Sequence, residues 1–131
     1  MAATGVGEVR AALDEMLDAQ NAGDAERLRS VLSGHPDVVH IGTDAGEWWT
    51  SREVADAVAA AGDDDVQVVA DDIGVHVLGD VAWAEGRGRF TNSGGGERPV
   101  RMTAVLVRED GRWIVVQSHA SIGVPNADLF S

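Results

Sequence analysis

The chain has no cysteine, no lysine and no tyrosine. Without cysteine there can be no disulfide, no thiolate metal ligand and no cysteine nucleophile. Without lysine, Schiff-base chemistry is excluded, and without tyrosine, phenol acid–base chemistry is too. Positive charge is scarce. The 10 basic side chains are all arginine, against 22 acidic ones, giving a net charge of -12. A surface of that sign repels phosphate backbones, so no nucleic-acid partner is expected. Long apolar runs are missing as well. None approaches the ~18 residues a membrane span needs, and Met1-Ala2-Ala3-Thr4-Gly5 has neither a basic region nor an apolar core of the leader type. The expectation is a cytoplasmic protein with no membrane contact.

The 44% hydrophobic share of the 131 residues marks a globular chain. It is long enough to form one domain over 1–131 and to bury roughly two-thirds of its unfolded surface. The first third reads as helix. Val6, Val9, Leu13, Met16, Leu17 and Gln20 recur at three-four spacing, and Gly23 is a natural stop. Asp24 can cap a short second helix carrying Leu28, Val31 and Leu32, which Ser33-Gly34-His35-Pro36 ends. Val38-Val39-His40-Ile41-Gly42 reads as a strand and 43–49 as a loop. Thr50-Ser51-Arg52-Glu53 is a capping box for a third helix that stops at Gly62.

From Val66 the period becomes two. Strands are expected at about 66–78, 81–91, 98–109 and 112–122, joined by hairpin-like turns at Gly79-Asp80, Asn92–Gly96 and Asp110-Gly111. Helices first and a long antiparallel meander after give an α+β fold. Strands this long must curl, and helices on the concave side would close a cone-shaped cavity.

The last strand, Trp113-Ile114-Val115-Val116-Gln117-Ser118-His119-Ala120-Ser121, bears on that cavity. Strict alternation puts Gln117, His119 and Ser121 on the face of Trp113 and Val115. That face turns from apolar to polar along its length, as a pocket wall would. His119 is therefore the leading candidate for a general base or hydrogen-bonding anchor. The alternative is a buried histidine satisfied by a carbonyl or carboxylate.

In the strand around residue 83, Trp83, Glu85, Arg87 and Arg89 alternate with Ala82, Ala84, Gly86 and Gly88. If Trp83 faces the cavity, Glu85 and Arg87 do as well. The alternative is a cross-strand Glu–Arg pair on a solvated outer face. Thr103 is a further hydrogen-bonding candidate, or an ordinary β-branched strand residue. Glu47-Trp48-Trp49 is an unusual loop. One tryptophan could cover the cavity while the other packs on the following helix, and a carboxylate beside tryptophan could titrate abnormally. His40 could face either way. His35 reads as an exposed turn residue and His76 as a sheet-face residue. No histidine pair has ligand spacing, so no metal site is expected. Asp63-Asp64-Asp65 and Asp71-Asp72 read as solvated charges.

Asn21-Ala22-Gly23-Asp24 at the end of the first helix, the Ile41–Trp49 segment before a capped helix, and Arg108-Glu109-Asp110-Gly111-Arg112-Trp113 leading into the last strand carry a resemblance. Over about residues 6–124 the chain resembles the nuclear transport factor 2-like superfamily, in its SnoaL-like, ketosteroid-isomerase-like branch. It is similar too to the association domain of calcium/calmodulin-dependent kinases. The resemblance implies the cone fold, no cofactor and a homodimer formed sheet to sheet. It does not carry over the isomerase machinery of a base Asp, a Tyr and a protonated Asp. Those positions fall on Gly42 or Thr43, on Met16 and on Thr103.

The expected function is binding of a small organic molecule. A cofactor-independent isomerase, cyclase or dehydratase is the enzymatic form of that expectation. His119, Glu85 and Glu47 would be its titrating groups, with Trp48, Trp83, Arg87, Thr103, Gln117 and His40 around the ligand. The alternative is a non-catalytic dimerisation or ligand-sensing module.

Overall fold

A computed structural model describes residues 2–62 and 65–131, with the side chains of 2–4 excepted. Helix α1 (Ala2–Ala22) buries Val9, Leu13 and Ala19 along one stripe, and Met16 packs beside them. It ends in a Schellman turn. Gly23 sits at φ 68, its N–H donates to the Gln20 carbonyl, and the Asp24 N–H donates to the Ala19 carbonyl at 2.9 Å. Asp24 then caps α2 (Ala25–Val31) through the Arg27 N–H, as its position before the apolar stripe predicts. The capping box on α3 (Ser51–Ala61) is present in both directions between Thr50 and Glu53.

Six strands form one open, curved sheet in the order β2-β1-β6-β5-β4-β3. They are β1 (Val39–Ile41), β2 (Trp48–Trp49), β3 (Gln67–Leu78), β4 (Val81–Thr91), β5 (Glu97–Glu109) and β6 (Arg112–Ser121). The four long strands make the expected antiparallel meander. β1 runs parallel to β6, and the tryptophan pair, read in the sequence as loop, forms a two-residue strand on β1. Helix α1 packs on α2, β3 and β6, and α3 packs on α2, β1 and β2, so all three helices lie on one face.

The small-residue row of β4 is what lets the helices approach. Ala82, Ala84 and Gly88 are buried, next to Ala104, Leu106, Trp113 and Val115 of the following strands. The large, charged row of β4 lies on the other side of the sheet.

Two β-bulges reset the alternation. In β3, Ala70 pairs with Gly88 but Asp72 pairs with Arg87, leaving Asp71 as the extra residue. Val68 faces in before it, and Ile73, Val75 and Val77 face in after it. In β6, Leu106 pairs with Val115 but Val105 pairs with Gln117, leaving Val116 as the extra residue. A bulge moves every later side chain to the opposite face.

Asp71 and Glu97 both bind the Arg89 guanidinium, at 2.8 and 2.7 Å. The Arg89 contact holds the Asp71 carboxyl below its usual range and raises Arg89. Asp72 is exposed, and the Asp65 carboxyl is held below its usual range by the Ser93 side chain and by the Ser93 N–H, which donates to it. Asp63 and Asp64 lie outside the described residues.

The turn at Gly23 also brings the ends of α1 and α3 together, because a Cβ there would collide with the Gly62 carbonyl oxygen. Gly23→Ala combines a left-handed backbone with a steric clash, so it should destabilise the fold by about 2–4 kcal/mol in urea unfolding. Gly34→Ala, where a Cβ meets nothing within 4 Å, should stay within about 0.5 kcal/mol.

Candidate functional site

A cavity of about 350 Å³ lies between the helices and the inner face of the sheet. Met16 and Leu17 of α1, Leu28 of α2, Val54 and Val58 of α3, and Val68, Phe90, Met102 and Ala120 of the sheet give it largely apolar walls. Gln20, Ala61 and Val66 border it and are exposed, so it opens between the ends of α1 and α3 and the start of β3. Asn21, at the same rim, is committed elsewhere. Its side-chain amide donates to the Val68 carbonyl and accepts from the Val68 N–H, both at 2.8 Å, which ties α1 to β3.

The polar end is His40. It shares the inward face of its segment with Val38, and its side chain is 5% exposed. Both ring nitrogens are engaged: Nδ1 lies 2.7 Å from Ser118 Oγ, and Nε2 lies 2.9 Å from Ser51 Oγ. Ser118 reaches the ring because it stands opposite His40 in the parallel β1–β6 register. Ser51 reaches it because the capping box starts α3 directly beneath the strand. Burial lowers the pKa of His40, so the imidazole is neutral at neutral pH. Trp49 stands opposite His40 across the β1–β2 pair and lines the cavity from the same side. Glu47 also borders the cavity. Its carboxylate accepts from the Asp44 N–H at 2.9 Å and lies over Gly42, whose missing side chain leaves the room. Among the described residues the lining contains no arginine.

The structure redistributes the residues singled out in the sequence. His40 and Glu47 are at the cavity. Because Val116 is a bulge, Gln117, His119 and Ser121 leave the face of Trp113 and Val115, and Ser118 and Ala120 take it. The His119 side chain is exposed and stands opposite Thr103, also exposed, on the outer face of the sheet. Both residues border the cavity, but alternation leaves only their main chain to do so. The reading of His119 as the inward base is thereby corrected, and Gln117 is likewise outside the lining.

Trp83, Glu85 and Arg87 are on the outer face too, the alternative left open by the sequence. There Glu85 contacts His76 Nε2 at 2.9 Å, and the His76 ring stacks on Trp83 with centroids 5.4 Å apart. Trp48 is 68% exposed, so of the adjacent pair it is Trp49 that serves the cavity. His35 is exposed, with Nδ1 accepting from the Asp37 N–H.

Ser51 and Ser118 were not legible as site residues, and of the tryptophan pair it was Trp48, not Trp49, that the sequence reading placed around the ligand. Ser51 was hidden inside a capping motif, and Ser118 by the bulge. The inward position of His40 could have been read from Val38, two residues before it.

The SnoaL-like domain family matches residues 9–125. The chain belongs to the SnoaL-like family. The fold is that of the nuclear transport factor 2-like superfamily. An NTF2-like protein of unknown function from Pseudomonas putida KT2440 superposes with a TM-score of 0.83 at 17% identity, covering 96% of this chain and 92% of that one. An NTF2-like superfamily protein from Salmonella enterica serovar Typhimurium LT2 gives 0.82 at 16%, covering 100% and 99%. A dehydratase candidate of the NTF2-like family from Streptomyces avermitilis gives 0.75 at 24%, covering 95% and 100%. No curated protein matches the chain. These likenesses establish this SnoaL-like fold, which hosts unrelated activities. Among the described residues no helix is long and apolar enough to cross a membrane.

The lowered pKa of His40 has a consequence for stability. Its folded value lies below the unfolded one of about 6.5, so below that pH the unfolded chain takes up a proton that the native chain refuses. The contribution of His40 is complete above about pH 6.5 and is lost as pH falls toward the folded value. Each pH unit inside that window costs about 1.4 kcal/mol. Urea titrations at pH 8 and pH 5 should show a larger loss on acidification for the wild type than for His40→Gln. Equal losses would contradict the burial of a neutral ring.

Proposed function

We propose that this SnoaL-like protein binds a compact, largely apolar, uncharged organic molecule in its interior cavity, with one polar end of the ligand at Ser118 and His40. One observation supports this above others: an apolar cavity of about 350 Å³ with His40 and Ser118 at its polar end, His40 bonded in turn to Ser51 behind it, Glu47 at the wall and no cation among the described lining residues. Ligand sites are typically apolar hollows with a few convergent polar groups. An engineered cavity of about 150 Å³ holds one benzene ring, so this one of about 350 Å³ suits a skeleton of two to three fused rings. A carboxylate or phosphate ligand would enter a site without a cation, beside Glu47 and inside a strongly acidic protein, which disfavours it.

The enzymatic form of the proposal is an isomerase, cyclase or dehydratase. A dehydratase candidate among proteins of the same fold supports this form, as does a neutral imidazole at the cavity. His40, acting through Ser118, would accept the proton, and Glu47 would be the second titrating group. Both ring nitrogens are already hydrogen-bonded, however, which favours the anchoring role over direct attack on a substrate proton.

A second reading concerns the outer face of the sheet, which we propose pairs with a second copy of the chain. Trp83, Val81 and Leu78 are exposed there. Exposed Glu85 and Asp72 stand beside Arg87 and Arg101, and neither arginine is ion-paired to a carboxylate among the described residues. A two-fold axis would bring such acids and bases of two copies together.

Two measurements test these readings. The fluorescent amine 1-aminoanthracene, neutral at pH 7.5, should bind at one site per chain, and Val58→Trp, which fills the cavity, should abolish it. A two-ring carboxylate should displace the dye at least about tenfold less well than the neutral ring system. Dye binding unaffected by Val58→Trp would remove the cavity from consideration. For the assembly, sedimentation should give a dimer for the wild type and a monomer for Trp83→Glu, with dye binding retained.

A further inference from the structure

We propose that Ser51, His40 and Ser118 form a reversible hydrogen-bond relay, through which the cavity accepts either a hydroxyl or a ketone of an apolar ligand at the same point, Ser118 Oγ. This rests on the cavity reading above and adds the class of polar group that the cavity takes.

The argument starts from the two contacts of the ring, Nδ1 to Ser118 Oγ at 2.7 Å and Nε2 to Ser51 Oγ at 2.9 Å. A neutral imidazole carries one N–H and one lone pair, whereas a serine hydroxyl can donate or accept. One serine must therefore donate to the ring while the other accepts from it.

Two arrangements satisfy this. In the first, the ring proton is on Nε2 and points to Ser51, and the Ser118 hydroxyl donates to Nδ1. The lone pairs of Ser118 Oγ are then free to accept from a ligand hydroxyl. In the second, the Ser51 hydroxyl donates to Nε2 and the ring proton on Nδ1 points to Ser118. The Ser118 hydroxyl is then free to donate to a ligand ketone. Both contain the same protons, one on each serine and one on the ring. They differ in the ring nitrogen that is protonated and in the two hydroxyl rotations.

What makes the relay reversible is the chemistry of its far end. A carboxylate or main-chain carbonyl beyond the ring would accept only, and would fix a single tautomer. Ser51 accepts and donates with equal ease. It is 8% exposed, and among the described residues no other hydrogen bond of its side chain holds it in either role. Ser118 lines the cavity, so the change at the far end is delivered to the ligand. Burial keeps the ring neutral, which the relay needs, since an imidazolium would donate to both serines and leave Ser118 a donor only.

Three neutral ligands with one carbon skeleton test this by displacement of 1-aminoanthracene: tetralin, 2-tetralol and 2-tetralone. In the wild type the alcohol and the ketone should bind within about threefold of each other. Ser118→Ala should weaken both by about tenfold and leave tetralin unchanged. Ser51→Ala leaves an unpaired acceptor more cheaply than an unpaired buried N–H. It should therefore favour the proton on Nδ1 and shift the preference several-fold toward the ketone. Long-range proton–nitrogen correlation spectra of the unmutated protein read the ring directly. They should show His40 protonated on Nε2 with 2-tetralol and on Nδ1 with 2-tetralone.

A single tautomer with both ligands overturns the relay, as does Ser118→Ala affecting all three ligands alike or none. If neither the dye nor tetralin binds, the cavity reading fails and the relay with it. If tetralin binds and Ser118 has no effect on the other two, the relay alone fails.

Discussion

A single extra residue in β6 decides which side chains reach the interior. Had the strand kept strict alternation from Trp113, the cavity would be walled by Gln117, His119 and Ser121. With Val116 unpaired, Trp113 and Val115 still fill the core, but Ser118 and Ala120 take over beyond the bulge. The inward set is smaller, which leaves the hollow open. It also places a hydroxyl opposite His40 in the register of the parallel β1–β6 pair. The position of the cavity, its polar end and the exposure of His119 all follow from that local insertion. The main chain on either side of the bulge remains paired with β5.

The other half of the polar cluster is built by four consecutive residues. Trp48 and Trp49 pair with β1, so Trp49 covers the cavity on the side of His40. Thr50 caps α3 and fixes the direction in which the helix leaves. Ser51, the first helical residue, is thereby held against the ring it binds. A capping box usually explains only how a helix begins. Here the same local motif orients a buried hydroxyl, so helix nucleation and site geometry are one structural event. Residues that look like punctuation in the sequence are the ones that position the imidazole.

These two devices explain what was legible. Helices, caps and the four long strands have local causes, such as three-four spacing, Asp24, Thr50, Gly23 and the glycine-rich turns, and a sequence displays local causes. Strand facing is not local in that way. Ile114-Val115-Val116 is uniformly apolar, so no polar residue marks where the alternation slips. In β3 the clue did exist: Asp71 and Asp72 cannot both alternate without burying one carboxylate, and the bulge is how both remain outside. The bare Ala/Gly row of β4 was a similar clue: as the helix-packing side it sends Trp83, Glu85 and Arg87 outward, away from the ligand beside which the sequence reading had put them. The fold class holds, and the His40 side chain faces the cavity. His119, the stronger candidate on alternation alone, does not.

The distribution of charge explains why the polar end of the cavity is neutral. The ion pairs of the described residues are on the surface, as with Arg89 between Asp71 and Glu97 or Arg108 on Asp80. An arginine–carboxylate pair inside the cavity would have to recover several kcal/mol of lost hydration per ion, and would hold only if every donor and acceptor were matched. An imidazole between two hydroxyls avoids that penalty, since each of its nitrogens is satisfied without a net charge. It also leaves the site with adjustable polarity, because hydroxyls rotate and the ring can carry its proton on either side. In a chain with no lysine, no tyrosine and no cysteine, histidine with the serine and threonine hydroxyls can supply such chemistry without charge.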